Sequence, residues 1–303
     1  MILYNMMAGV LRAFGDSKNP LYVLVVCSVV NIVADLMMVG LLHTGVGGAA
    51  AATVLSQIVS VVLTMHFLRT SDFLEEKIGI RTMRICKEHM GMMLNKGFPL
   101  ALQSMLFPIA NSIVQASVNT MGTDSIAAWG ICDKLDLLIW LIADSMGPVL
   151  TTYTAQNLGA GKKERIRPGF FAGGKLVWII CIPFIILYLV AGRYLLLLFM
   201  ERSSTSAIET GMQFLKIISP FYMIVSIKLV ADGVLRGAGK MGRFMITTFT
   251  DLILRVALAI LLSAHYGTAG IWSAWPIGWC ISTTLSVVFF FTGEWNKKKI
   301  ATI

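Results

Sequence analysis

The stretch from Ala8 to Ser17 reads AGVLRAFGDS, and the stretch from Asp232 to Met241 reads DGVLRGAGKM. Gly9, Val10, Leu11, Arg12 and Gly15 recur as Gly233, Val234, Leu235, Arg236 and Gly239, a shift of 224 residues. After a two-residue gap a second correspondence follows, GVGGAA from Gly45 against GTAGIW from Gly267. In both copies a turn carrying basic residues leads into an apolar run, a short Gly-containing loop and another apolar run. Self-similarity on this scale predicts a chain built from two related helical bundles.

The apolar runs define the solvent. Of the 303 residues, 56% are hydrophobic and only 14% charged, with a mean hydropathy of +0.77, well outside the range of soluble domains. Runs of roughly 20 residues recur, each long enough for a helix to cross a hydrocarbon layer of about 30 Å. The alternation of a barrel strand is absent, so the expected fold class is an all-α polytopic membrane protein. Eight spans are predicted, approximately Pro20 to Leu42, Val46 to Leu68, Phe98 to Met121, Ile126 to Ala155, Phe170 to Val190, Gln213 to Leu235, Ile246 to Ala264 and Gly270 to Phe291. Met1 to Leu11 is apolar but meets Arg12 at about two-thirds of a short span, without the basic start or small-residue cleavage site of a signal peptide.

Lysine and arginine set the orientation. With the Arg12 loop in the cytosol, alternate loops and the Lys297 to Lys299 tail hold 18 of the 25 basic residues, whereas the opposite loops hold only Arg193 and Arg202. The positive-inside rule then places the C-terminus and the Arg69 to Lys96 segment in the cytosol. The net charge of +9 is accounted for by this topology, and a nucleic-acid partner is not expected. The five cysteines show no CxxC or CxxH spacing, which argues against a disulfide framework or a zinc site. GAGK occurs at Gly159 and at Gly237 but without the remaining residues of a phosphate-binding loop, so ATP-driven transport and enzymatic chemistry find no support.

The repeat also predicts a division of the chain. Residues 1–68 form the remainder of an N-terminal lobe, 69–96 a cytosolic linker, and 97–303 a C-terminal lobe of six spans. Projecting the second lobe back by 224 residues places its first three and a half spans before Met1. About 130 residues are therefore expected upstream in the intact protein, with a true start at Met1 as the alternative. The linker, RTSDFLEEKIGIRTMRICKEHMGMM from Arg69, mixes charged and apolar residues and is expected to lie on the inner membrane surface as an amphipathic tether.

Five signatures in order carry a resemblance: GVLRAFGDSKNP, GFPLALQ, NTMGTDSIAAWGICDKLD, AQNLGAGKKERIR and GVLRGAGK. Together they resemble the multidrug and toxic compound extrusion (MATE) transporters over nearly the whole chain, matching the family's spans four to twelve. The resemblance implies two lobes of six helices in a 6 + 6 repeat. It also implies a monomer in the cell membrane that admits H⁺ or Na⁺ while exporting small organic, often cationic, compounds, with no cofactor beyond the coupling ion. Repeats of this kind place a transporter's binding site between the halves.

Asn31 and Asp35 lie four apart and share one helix face within the first full span. A carboxylate in a span is costly and is a functional hypothesis by default. Counted from Pro20, Asp35 lies about 22 Å in from the cytosolic side at 1.5 Å per residue. Thr53 reaches a similar depth on the next span, about seven residues in from the outer loop. Two readings are open: Asp35 holds a coupling ion, or it is neutral and bonded to Asn31 as helix glue. The resemblance favours the first. One branch of the family uses an Asn-x-x-x-Asp pair on span five and a threonine on span six, which Asn31, Asp35 and Thr53 match, and it adds an aspartate on span one.

The second copy has Arg255 where the first has Asn31 and Ala259 where the first has Asp35, and its Asp251 and Arg255 form an i,i+4 pair able to neutralise itself. Lys228 and Asp232 form another such pair. Asn111, Gln115 and Asn119 recur every four residues as a polar stripe that either lines a cavity or joins helices. Asp133, Lys134 and Asp136 read as a self-neutralised cluster, and Asp144, alone in mid-span, as the candidate to meet a cationic substrate. A different branch carries acidic residues where this chain has Phe107 and Val225, which argues against a sodium site of that type.

Overall fold

The computed structural model describes residues 1–71 and 86–296. Its helices are α1 (Ile2–Ala13), α2 (Lys18–Asp35), α3 (Gly45–Thr70), α4 (Lys87–Asn119), α5 (Thr123–Gly159), α6 (Ile166–Leu197), α7 (Thr205–Ile218), α8 (Tyr222–Gly237) and α9 (Met241–Phe291). Among the described residues six helices, some of them pairs joined in sequence, are long and apolar enough to cross a membrane. Two differences separate that number from the eight predicted spans. The α9 helix contains two spans, joined at Gly267 with φ 57° and ψ −135°. The 37 residues of α5 form one continuous helix whose five charged residues lower its apolarity. The half-span before Arg12 is the 12-residue helix α1.

The chain divides into two compact units, Met1–Lys87 and Glu88–Ile303. This boundary falls within the predicted linker. Its residues from Lys87 onward are already helical, as the start of α4. The predicted amphipathic tether lies mostly at residues 72–85, outside the described residues.

In the first unit α2 packs on α3 through a stripe of small residues, Gly48, Ala52, Ser56, Ser60 and Thr64, all buried. Small side chains let helix backbones approach where lipid offers no hydrophobic drive. The serine and threonine hydroxyls of this stripe turn back onto their own helix, Ser56 to the Thr53 carbonyl (2.8 Å) and Ser60 to that of Gln57 (2.7 Å), so no hydroxyl hydrogen is stranded. Tyr4, Ala8 and Val23 form one small core, and Tyr4 donates to the Pro20 carbonyl at 3.2 Å.

Asp35 ends the regular part of α2. Leu36–Leu41 continue it as a π-helical turn, in which the Leu42 amide reaches the Met37 carbonyl at 2.9 Å. Such widened turns accommodate an extra residue and recur at functional sites. Between the aligned turn and the aligned loop glycine, the first copy is two residues longer than the second, and the π turn lies in that interval. Gly45 (φ +61°) and Gly267 (φ +57°) both have a positive φ, in keeping with the pairing of the two copies.

The repeated GVLR turns agree bond for bond. In the first, the Gly15 amide bonds the Arg12 carbonyl (3.0 Å) and the Asp16 amide that of Leu11 (3.0 Å); in the second, Gly239 bonds Arg236 (2.9 Å) and Lys240 bonds Leu235 (2.8 Å). This is the Schellman helix end, which requires a left-handed residue and therefore glycine. The end of α5 repeats it a third time, with Gly161 to Leu158 (3.1 Å) and Lys162 to Asn157 (2.8 Å).

The second unit has one large core, to which Trp129, Ile139, Phe170, Tyr188, Phe214 and Trp272 contribute. At its centre α8 lies against α5. A Cβ on Gly233 would come 2.6 Å from the Gly147 carbonyl oxygen, and one on Gly237 would come 2.4 Å from that of Thr151. Both atoms belong to helix backbone, which cannot move aside. We therefore expect Gly237→Ala to destabilise the protein by about 1–3 kcal/mol, as overpacked cores do. Thermal denaturation in detergent checks this, and an unchanged midpoint would refute the close approach.

Candidate functional site

Each unit holds a polar constellation. In the first, Asn31 and Asp35 are half-buried on the α2 face shared with buried Ala34. Asn31 Nδ2 and Asp35 Oδ1 are shielded from solvent, and neither has a hydrogen-bond partner among the described residues. Without such a bond, the helix-glue reading lacks its connection. A buried donor and acceptor left unpaired cost roughly 1–3 kcal/mol each, more for a charged group, so their retention calls for an explanation. Thr53 is exposed, and its hydroxyl donates to the Ala49 carbonyl of its own helix at 3.0 Å. The structure places Asn31 and Asp35 on one face, and Thr53 lies one position beyond the buried Ala52.

Among the described residues of the second unit, each deeply buried carboxylate has a partner. Asp232 accepts from Lys228 Nζ (2.8 Å), Thr247 Oγ1 (2.9 Å) and Ser286 Oγ (2.7 Å), joining α8 to both halves of α9. Asp251 holds Arg255 Nη2 at 2.8 Å. Both i,i+4 pairs are as predicted, and all four residues are buried. Asp251 Oδ1 and Arg255 Nε remain without a partner among the described residues.

The predicted Asp133/Lys134/Asp136 cluster does not form as such. Lys134 meets Asp133 at 3.6 Å in an exposed pair, whereas Asp136 accepts the Tyr222 hydroxyl from α8. Asp133 and Asp136, at i and i+3, share a helix face and line the same cavity, while Lys134 at i+1 is directed away into the open. Asp136 lines a cavity of about 120 Å³ with Phe107, Asn111, Trp140, Arg255 and Trp279. The Arg255 guanidinium lies over the Phe107 ring (5.2 Å) and near the Trp275 ring (5.8 Å), and reaches Asn111 Oδ1 at 3.5 Å. Phe107 thus presents an aromatic face to this cation, and Val225 is buried in the core.

A second cavity, of about 420 Å³, shares the Phe107 and Trp140 walls and is lined by Asp144, Lys228, Asp232, Arg236 and Asp251. Asp144 is exposed into this group and not alone, because Arg236 is close enough to interact with it electrostatically. Three carboxylates face two cations there. Gly147 makes room for Arg236, since a Cβ would sit 2.3 Å from its Nη2. Of the predicted stripe, Asn111 lines the smaller cavity, while Gln115 and Asn119 bond each other along α4 (2.8 Å) and line neither. Arg236 and Tyr222 were not singled out from sequence as site residues. Arg236 had a signal, being the invariant arginine of the repeat, whereas Tyr222 had none.

The MatE family model matches residues 99–261, more than half of the chain. The chain belongs to the MatE family. It is 29% identical over 301 residues to the probable multidrug resistance protein YpnP of Bacillus subtilis, covering 99% of this chain and 66% of the relative. It is also 26% identical to the probable multidrug resistance protein NorM of Thermotoga maritima, over 97% of this chain and 64% of that protein. The MatE chain thus spans about 66% of the length of the Bacillus relatives it matches. Its fold is that of solved MATE structures. A MATE protein in the straight conformation superposes with TM-score 0.88 at 20% identity, over 97% of this chain and 67% of that one. A MOP superfamily transporter from Pyrococcus furiosus, described as having a binding pocket of reverse polarity, gives TM-score 0.88 at 21% identity over the same shares.

Proposed function

We propose that this MatE chain serves a secondary transporter in which entry of H⁺ or Na⁺ drives export of small organic cations, with Asp35 holding the coupling ion. Asn31 offers its side-chain amide beside that carboxylate, and Thr53 is the third member assigned to the site. The observation that carries the reading is the contrast between carboxylates. Asp232 and Asp251 are each neutralised by a cation four residues away, whereas Asp35 Oδ1 is shielded and has no bonding partner among the described residues. A carboxylate kept without a resident cation in a membrane span can exchange a proton or a metal ion at each turn of a cycle.

An equilibrium between conformations shifts only if the ion binds them unequally, so coupling requires Asp35 to be differently accessible in the two states. The substrate would meet Asp144, the exposed carboxylate of the 420 Å³ cavity. An exposed carboxylate suits an organic cation better than the alternative cargo, a lipid-linked oligosaccharide, whose phosphates call for an excess of basic groups. The protein acts as a monomer in the cell membrane, with a cytosolic C-terminus and without a cofactor.

The test is transport in proteoliposomes containing the natural gene product, with Na⁺ and pH gradients imposed separately. Efflux of a fluorescent organic cation should accelerate under at least one of the two gradients. Efflux indifferent to both would overturn ion coupling.

A further inference from the structure

The cavity of about 120 Å³ is walled by four tryptophans, Trp129, Trp140, Trp275 and Trp279, with Phe107 beside them. Trp129, Trp275 and Trp279 are buried, and stacking fixes two of the walls: Trp129 lies on Trp272 with centroids 5.3 Å apart, and Trp279 on Trp140 at 6.1 Å. Walls held this way cost little further ordering when a ligand enters. The Arg255 guanidinium already rests against the Phe107 and Trp275 rings, so the chain itself supplies one cation to this aromatic lining.

Charge leaves a place for a second. Asp251 bonds Arg255 at 2.8 Å, and Lys134 answers Asp133 at 3.6 Å. Asp136 accepts its hydrogen bond from a neutral group, the Tyr222 hydroxyl, and among the described residues no cation lies within ion-pair distance of it. Arg255 acts on Asp136 only at longer range, so two carboxylates, Asp136 and Asp251, share one guanidinium. The remaining negative charge sits in a box of indoles.

Size and shape narrow the guest. A volume of about 120 Å³ is well below the roughly 300 Å³ at which drug-sized pockets begin, so a head group enters and not a whole drug. Exposed Leu137 and half-exposed Asp133 line the same cavity, which is therefore open on that side to the rest of a larger molecule. Aromatic faces attract a cation through the ring quadrupole, and a methylated ammonium, which has no N–H to satisfy, is the cation such boxes hold best.

We propose that this cavity is a binding site for the N-methylated, quaternary ammonium group of an organic cation, with Asp136 as its counter-charge and Trp140 and Trp279 among its walls. For its purpose the site rests on the transport reading, and it names the charged group of the cargo. Phe107 and Trp140 also wall the cavity of Asp144, so the two sites adjoin.

The experiment measures binding of choline to the full chain purified in a maltoside detergent, with no ion gradient, by quenching of tryptophan fluorescence. Wild-type protein should bind choline saturably and about tenfold more tightly than the neutral alcohol in which a tert-butyl group replaces the trimethylammonium. Ethanolamine, which lacks the methyl groups, should bind more weakly than choline. Asp136→Asn keeps an acceptor for Tyr222 and should weaken choline about tenfold. Trp140→Leu, at a partly exposed ring, should do the same and carries the test should the first variant misfold, whereas Trp140→Phe keeps an aromatic face and should bind nearly as wild type. Absence of saturable choline binding, equal affinity for the neutral alcohol, ethanolamine bound as tightly as choline, or affinity that both Asp136→Asn and Trp140→Leu retain would overturn the proposal. A chain that binds choline but exports no cation keeps this site and loses the transport reading; one that exports cations under a gradient yet ignores choline loses only this site.

Discussion

Asp35→Asn is expected to abolish gradient-driven efflux while leaving expression and membrane insertion at wild-type levels. Asparagine matches the carboxylate in shape, so the packing of α2 on α3 is undisturbed. What it removes is the ability to carry charge in one state and shed it in the other. Asp35 Oδ1 is shielded from solvent and has no hydrogen bond among the described residues that the amide would break. A buried carboxylate without a partner is costly, and the amide relieves that cost, so a modest gain in melting temperature should accompany the loss of transport. The combination is diagnostic. Loss of both transport and stability would point to a structural role, and efflux at the wild-type rate would remove Asp35 from the mechanism. Asn31→Ala, which takes away one neighbouring amide, should slow efflux less.

Asp232→Ala is expected to have the largest effect on stability, about 3–5 kcal/mol, the usual consequence of removing one partner of a buried ion pair. Its carboxylate accepts three hydrogen bonds and ties α8 to both halves of α9. Without it the Lys228 ammonium, 6% exposed, is left in the core with no counter-charge. The double variant Asp232→Ala, Lys228→Met should recover much of the loss, because no charge then remains buried. Thermal or chemical denaturation in detergent measures both. A single variant as stable as wild type would show that the pair is dispensable, and a double variant no better than the single would show that Thr247 and Ser286, not Lys228, bear the cost.

The features legible in the sequence were those encoded over one or two helical turns. Spans follow from apolar length, and the pairs Lys228/Asp232 and Asp251/Arg255 from i,i+4 spacing, so their ion pairs form as read. The repeated turn was legible because five identical residues specify one glycine-dependent helix end, found again at Gly15 and Gly239. Contacts made across the fold were not. Tyr222 and Asp136 are 86 positions apart, and nothing local marks a tyrosine on α8 as the donor to a carboxylate on α5. The same holds for Ser286 and Asp232, 54 apart. Asp144 looked solitary because its neighbours Arg236, Lys228 and Asp251 belong to other helices. The Trp129–Trp272 stack, with centroids 5.3 Å apart, was equally invisible. The π turn was legible only indirectly, as an interval in which one copy is longer than the other.

That turn bears on how freely the two halves can be exchanged. Each extra residue advances the face of an α-helix by about 100° unless a widened turn absorbs it, and the first copy is two residues longer but has one such turn. Beyond Leu36 the first copy is therefore out of phase with its sibling, although both arrive at a glycine of positive φ, Gly45 and Gly267. A chimera that grafted the outer loop of one half onto the other would arrive with its side chains turned toward the wrong neighbours. Duplication made the halves alike, and a change in length directly after Asp35 has made them non-interchangeable.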